Sequence, residues 1–480
     1  MTTERRRLLV AVAAALLVLA PLAWMWQQSR LPSSYDVMDM GYADYGGGPT
    51  SLASHASADR SVASFTADPA RPADVRVDLT ARKERFRLAS GQRVDGYTVN
   101  GQSPGPVIRA VEGQLVEVHL TNASVPGGVT LHWHGVDVPN AEDGVAGVTQ
   151  DAVPRGGSHT YRFVADHAGT YWYHSHQVSH AQVQGGLFGA LVIAPKTPDP
   201  AVREAVEVLH VYRGTPTVNG RAGDEHVDAQ PGTRVRVRFV NTDNGATMLW
   251  ASGSPYRVVA VDGYDVHEPA AVAGKSVQVT AGGRVDLEVT APARIDVGGT
   301  SAVLVGAGAT AAAQPATQVD LLTYGTPAPI GFDATKADRR FRYSIGRRPG
   351  FVDGRPGMWW SINGHLFPDV PMFVVEQGDV VVMHIANHSG AVHPMHLHGH
   401  HAVVIARDGV KATGSPWWVD SLDVASGTSY DIAFLADNPG IWMDHCHNLP
   451  HATQGLVAHL MYAGVTDPYR VGGSSHNEPE

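Results

Sequence analysis

A single cysteine, Cys446, in 480 residues rules out any disulfide within the chain. A lone thiol left exposed outside the cell would oxidise, so this one is expected to be buried or coordinated. Positive charge is also short. The 36 Lys and Arg are outnumbered by 46 Asp and Glu, and a formal charge of −10 gives no sign of nucleic-acid binding. The 11 methionines are scattered rather than gathered into a rich segment. What is plentiful is glycine and proline, 52 and 31, which implies many turns and a mostly β protein. With 43% apolar residues the chain can build the cores of two to four domains.

Residues Leu8 to Trp26 form an apolar run of 19 residues behind Arg5, Arg6 and Arg7. At 1.5 Å per residue the run reaches roughly 28 Å, close to a bilayer's hydrocarbon thickness. The arginines belong on the cytoplasmic side, which places the rest of the chain outside: extracellular or periplasmic, and membrane-tethered if residues 1–30 are an anchor rather than a cleaved signal. Arg5-Arg6-Arg7-Leu8-Leu9 resembles in part a twin-arginine export signal. Pro21 is expected to shorten the helix. Residues 31–75, rich in Gly, Ser, Ala and Asp, read as a flexible tether in which Met38 and Met40 could touch copper(I) but read more simply as linker methionines.

One unit recurs three times. Asn100-Gly101, Asn219-Gly220 and Asn363-Gly364 precede Gly113, Gly232 and Gly378 at spacings of 12, 12 and 14 residues. Nine residues after that glycine comes Asn122, Asn241 or Asn387, each closing an alternating strand. Three related β-sandwich domains follow, at 76–197, 201–325 and 333–466, with a tail at 467–480. The Pro- and Gly-containing stretches near 195–200 and 325–327 supply the boundaries.

The first and third copies match further. His132-Trp133-His134-Gly135 lies 10 residues after Asn122, and His396-Leu397-His398-Gly399 lies 9 after Asn387. Gly169 precedes His174-Ser175-His176 by five residues, as Gly440 precedes His445-Cys446-His447. Ser175 therefore stands where the third copy has Cys446, and Val129 where it has His393. The middle copy has no such pairs and reads as a spacer without metal. On a strand, His-x-His presents both imidazoles on one face, so eight histidines can converge between copies one and three. Cys446 points the other way, towards His393 and His451. Thiolate with two imidazoles suits an electron-transfer copper, and imidazoles alone suit copper that meets oxygen.

These four segments resemble the four signatures of the multicopper oxidases, the laccase family, over nearly everything after residue 75. The resemblance implies three cupredoxin-like Greek-key domains and four copper ions. Carried over position by position, His393, Cys446 and His451 would hold type 1 copper, and His132 and His396 type 2. His134, His174, His176, His398, His445 and His447 would hold the type 3 pair. A reducing substrate would give single electrons to type 1, with Cys446 as the relay, and dioxygen would be reduced to water. The axial type 1 position of the family falls on Leu456, which offers no donor atom and implies a raised potential; Met461 and Met443 are alternatives nearby. Some bacterial relatives have a glutamate directly after the last type 1 histidine, helping to relay protons, but here that residue is Ala452. Asp143 resembles the family's other acidic proton donor, while a turn aspartate before Gly144 is the plainer reading. His400 belongs to the family's motif; His119, His180, His384, His401 and His459 read as structural or supporting.

The electron donor is not written in the sequence. Without a methionine-rich insertion of the kind cuprous oxidases of this family often carry, a phenolic or other aromatic donor is favoured over Cu(I), Fe(II) or Mn(II). Trp359 and Trp360 could line its cleft, although adjacent tryptophans more often pack cores. A copper-binding or electron-transfer protein without turnover would leave eight histidines unexplained, and a copper nitrite reductase resembles two repeats rather than three. One chain supplies every expected ligand, so a monomer suffices.

Overall fold

The computed structural model describes residues 3–48 and 60–480. After the helix Thr3–Gln28 the chain builds three β-sandwiches in sequence, each with its own apolar core. In the first, strands Arg93–Val99, Val75–Arg87, Leu115–Asn122 and Ser158–Val164 form one sheet; Ile108–Val111, Phe188–Ala194, Gly169–His174 and His132–His134 form the other. The second and third repeat the plan with more strands. In all three the opening strand runs parallel to the strand that ends in the repeated asparagine: Val75–Arg87 beside Leu115–Asn122, Val202–Tyr212 beside Arg234–Asn241, and Arg339–Val352 beside Val380–Asn387.

The conserved spacing of the repeat has a hydrogen-bonding cause. Asn100, Asn219 and Asn363 all take positive φ, near 50°, and each is followed by a glycine with φ between 72° and 81°, a pair of conformations that Asn-Gly accepts cheaply. Each asparagine side chain then clips the opening strand. Asn100 donates to Asp78 O and accepts from Thr80 N, Asn219 does the same with Val206 and Val208, and Asn363 with Arg342 and Ser344. The second asparagine is wholly buried. Asn122 donates to Val125 O and Val153 O, Asn241 to Gly245 O and Val279 O, and Asn387 to Ala391 O and Val424 O, satisfying two backbone carbonyls apiece.

Two expectations about the ends of the chain are corrected. Where described, the stretch expected as a tether is docked on the third sandwich: Tyr42–Asp44 adds an edge strand beside Pro371–Val375, and Ser34–Tyr35 pairs with Val471–Gly472. Val37, Met40, Val62 and Phe65 enter that sandwich's core, so a few apolar residues spaced among polar ones suffice to anchor the segment without any periodicity. Met40 is a core residue, Met38 packs against the core, and residues 49–59 of this segment lie outside the described residues. The N-terminal helix runs through Pro21 to Gln28 with no buried residue, because a proline removes one backbone bond and the long apolar run propagates past it. By length and composition it could cross a membrane or serve as a signal sequence.

Candidate metal centre

Strand alternation sets up the site. In His132–His134, Trp133 enters the core of the first sandwich while the two imidazoles leave it on the opposite face. His174 ends the strand Gly169–His174 and His176 follows two residues on; His396 lies in His393–Leu397 with His398 just after; His445 lies in Ile441–Cys446 with His447 just after. All eight rings are buried, and those of the first sandwich face those of the third. His134 stacks on His396 with centroids 3.7 Å apart and planes 8° apart, and His132 stacks on His398 at 3.8 Å. His176 meets His445 at 5.2 Å and His174 meets His447 at 5.6 Å.

This packing leaves nitrogen lone pairs without partners. His134 Nδ1, His174 Nε2, His445 Nδ1 and both ring nitrogens of His176 and His447 are buried and make no hydrogen bond. Burial first, and then the neighbouring imidazoles, hold His134, His174, His176, His398, His445 and His447 well below the usual histidine pKa. Neutral imidazoles converging without partners are costly as a packed core and well suited to cations. Three overlapping sets have ligand atoms within 4.8 Å of one another: His132 with His396 and His398, His132 with His134 and His174, and His176 with His398 and His445.

On the other face of the same strand, Cys446 Sγ lies 3.5 Å from His393 Nδ1 and 3.7 Å from His451 Nδ1, and the two nitrogens are 3.2 Å apart. A compact triangle of one sulfur and two imidazole nitrogens fits a soft transition metal. Burial raises the Cys446 thiol well above its usual value and lowers His393 to about 3, so a cation is what would hold this sulfur as thiolate. Leu456 is fully buried beside it, its carbonyl accepting from Cys446 N at 3.1 Å. The two methionine alternatives are corrected. Met443 falls on the His445 face of the strand, opposite Cys446, and Met461 pairs with Ile441, five residues back from Cys446 or roughly 17 Å along the strand.

Carboxylates orient the rings. Asp143 ties the two sandwiches together, with Oδ1 3.1 Å from His132 Nδ1 and Oδ2 3.0 Å from His398 Nδ1. It is therefore more than a turn residue. Asp420, which carried no sequence signal, sits 3.1 Å from His134 Nε2, 3.1 Å from His401 Nε2 and against the Arg284 guanidinium. Burial works against its charge, but Arg284 and then the imidazoles hold Asp420 well below the usual carboxylate range. Arg284 comes from the middle sandwich, and so does Gly282, whose carbonyl accepts from Trp172 Nε1 at 2.9 Å beside the rings. The domain expected as a bare spacer thus supports the site. No motif marked either residue, because Arg284 lies within an ordinary strand and Gly282 in an ordinary turn.

The remaining predicted histidines have supporting places. His400 Nε2 is 2.7 Å from Tyr462 OH, His401 lies between Asp137 and Asp420, and His384 pairs with Asp431 at the surface. His119 lies beside Thr160, His180 lines a cavity near Glu480, and His459 is buried. Trp360 is buried edge-on to His393 and packs on His451, with centroids 4.7 and 4.6 Å away, while Trp359 lines the cavity that His180 lines. The tail is docked. Asn477 is buried against the first sandwich, and Glu480 Oε1 reaches 3.1 Å from His445 Nδ1.

Three sandwiches, an imidazole cluster between the first and third, and a Cys-His₂ triangle beside it make a scaffold whose donor atoms suit copper. Two family profiles, each described as multicopper oxidase, match residues 80–198 and 336–464. The chain is 29% identical over 432 residues to Laccase-1 of Botryotinia fuckeliana, spanning 75% of this chain and 77% of that protein. It is 27% identical over 473 residues to multicopper oxidase MmcO of Mycobacterium tuberculosis, spanning 82% and 89%. The crystal structure of a multi-copper oxidase from Pseudomonas thermotolerans matches with a TM-score of 0.68 at 26% identity, over 82% of this chain and all of that one. The chain belongs to the multicopper oxidase family, copper-dependent oxidoreductases that use dioxygen.

Proposed function

We propose that this protein holds four copper ions and oxidises a small aromatic donor, a phenol or its like, with dioxygen as the acceptor. His393, Cys446 and His451 would hold type 1 copper, next to the buried Leu456; His132 and His396 would hold type 2; His134, His174, His176, His398, His445 and His447 would hold the type 3 pair. Copper bound there supplies one-electron transfer at the first site and four-electron reduction of dioxygen to water at the cluster. The observation that carries the reading is the pairing of four histidines from one sandwich with four from another, two pairs stacked and two edge-on, beside a Cys-His₂ triangle whose Cys446 shares the strand of His445. Domains at 76–197, 201–325 and 333–466 suit it, since the cluster needs the first and third from one chain.

The residues divide the labour. Cys446 is joined by single peptide links to His445 and His447, so a covalent path connects the two sites without motion. His451 lines a cleft of about 660 Å³ between the second and third sandwiches, together with Val392, Leu422, Trp417, Tyr430 and Asp423. The apolar and aromatic walls suit a ring. Burial pushes Asp423 up to about 6, which suits a carboxylate that accepts the proton a phenol loses on oxidation. Arg347 stacks its guanidinium over Trp360, 4.5 Å from the ring centroid, and places positive charge near His451, which disfavours a metal cation as donor. Asp143 links His132 and His398 and is the acid in contact with the cluster from the first sandwich, in keeping with a proton donor.

Oxygen uptake by copper-loaded protein with a phenol, a synthetic dye, copper(I) and iron(II) tests this. Uptake with the aromatic donors is expected. Uptake with metal ions alone would replace the donor, and none with any donor would favour a binding role.

A further inference from the structure

Residues 467–480 leave the third sandwich and cross onto the first. Asn477 Oδ1 accepts from Ala152 N at 2.8 Å and its amide donates to Asp151 Oδ1 at 2.7 Å. Glu478 N donates to Gln177 Oε1 at 2.8 Å, and Glu478 O accepts from Val178 N at 2.6 Å. These bonds deliver Glu480 to the edge of the imidazole cluster, with its side chain only 10% exposed.

There, Ser179 Oγ donates to Oε2 at 2.8 Å, while Oε1 stands 3.1 Å from His445 Nδ1 and 3.9 Å from His176 Nε2. Neither Oε1 nor His445 Nδ1 makes a hydrogen bond, because their directions do not line up. The buried carboxyl group faces two imidazoles with one hydroxyl as its hydrogen-bond partner, which leaves Oε1 unsatisfied and aimed at the rings. Beyond it opens a cavity of about 730 Å³ lined by Pro479, Val148, His180, Phe367 and Ala452. Glu480 therefore stands between that cavity and the cluster.

We propose that Glu480 is the carboxylate that supports His445 at the copper position framed by His176, His398 and His445, delivered by residues 467–480 acting as a clasp across two domains, and that it holds that copper against loss. The assignment rests on the copper-cluster reading above. Carboxylates that support histidine metal ligands typically change affinity 10–100-fold when removed. Glu480 gives the His176–His445 side of the cluster such a carboxylate, while Asp143 and Asp420 serve other rings.

The test is copper retention. Wild-type protein, E480Q and E480A are loaded with copper and placed in a chelator, and copper per chain is followed by elemental analysis alongside the blue absorption that reports Cys446. Glutamine keeps the shape and the Ser179 contact and removes the charge. The proposal expects both variants to lose cluster copper about 10–100 times faster than wild type while the blue absorption decays at the wild-type rate. E480Q that retains copper like wild type overturns this assignment alone. Wild-type protein that takes up no copper beyond the Cys446 site overturns the assignment together with the proposed function.

Discussion

His134 and His396 lie face to face, their ring centroids 3.7 Å apart and their planes 8° apart, although one belongs to the first sandwich and the other to the third. Both have the same carboxylate neighbour: Asp420 Oδ1 is 3.1 Å from His134 Nε2 and 3.5 Å from His396 Nδ1. The site exists only where two domains are clamped together, and its supports come from all three.

Replacing Cys446 with Ser should abolish the blue absorption and donor oxidation together, because hydroxyl is a poor substitute for thiolate in a soft site. Copper held by the eight imidazoles should remain. Elemental analysis beside the absorption spectrum checks this, and a variant that keeps its blue colour would refute the Cys446 assignment.

Leu456 is fully buried in the same core as Cys446 and offers a saturated side chain. Leu456→Met should lower the type 1 potential, since a thioether at the axial position donates where leucine cannot. Redox titration reads the shift, and an unchanged potential would mean that another residue occupies the axial position.

Asp143→Ala removes the carboxylate that bridges His132 and His398. Copper affinity at the cluster should fall 10–100-fold, and oxygen turnover should fall with it. Wild-type copper affinity would show that Asp143 does not orient the ligands, and full turnover at saturating copper would show that it is not the proton donor.

Gly282 approaches the rings from the middle sandwich, with φ of +76° and a Cβ position 2.8 Å from His447 Cγ. Gly282→Ala should destabilise the protein by about 1–3 kcal/mol and displace His447, because the obstacle is a packed ring. Thermal unfolding and copper content together test it; wild-type values in both would mean that this contact yields freely.

Stability of the copper-free protein should fall between pH 6.5 and 8. His401, beside Asp137 and Asp420, is raised to about 10 against burial, so its stabilisation is full below its unfolded value of 6.5 and is lost as pH rises towards 10. Burial raises Glu207 and Asp444 to about 8, so deprotonating them costs more in the fold than in the unfolded chain up to that pH. Each group removes about 1 kcal/mol per pH unit over this window. Burial lowers His210 and His459 to about 4, and they oppose this trend only below 6.5. Urea unfolding at the two pH values is the check, and equal or rising stability would contradict it.

The three-sandwich fold was legible because its repeat is carried by asparagines whose side chains make the same backbone bonds in each copy, and such bonds fix both residue type and spacing. The histidine pairs were legible because strand alternation is local. Asp420, Arg284, Gly282 and Glu480 were not, since each meets the rings only after domains pack and none sits in a spaced motif. The docking of the segment read as a tether, and of the tail, was hidden for a related reason: Val37, Met40, Val62 and Asn477 hold their places singly, at contacts with strands far away in sequence.

The most direct test of the account is the ratio of donor oxidised to dioxygen consumed by copper-loaded protein with a one-electron phenolic donor. Four donor molecules per dioxygen, with no hydrogen peroxide released, is the result expected if the eight imidazoles hold one cluster fed through Cys446. Two donors per dioxygen with peroxide released, or no oxygen uptake by protein that carries its full copper, would contradict it.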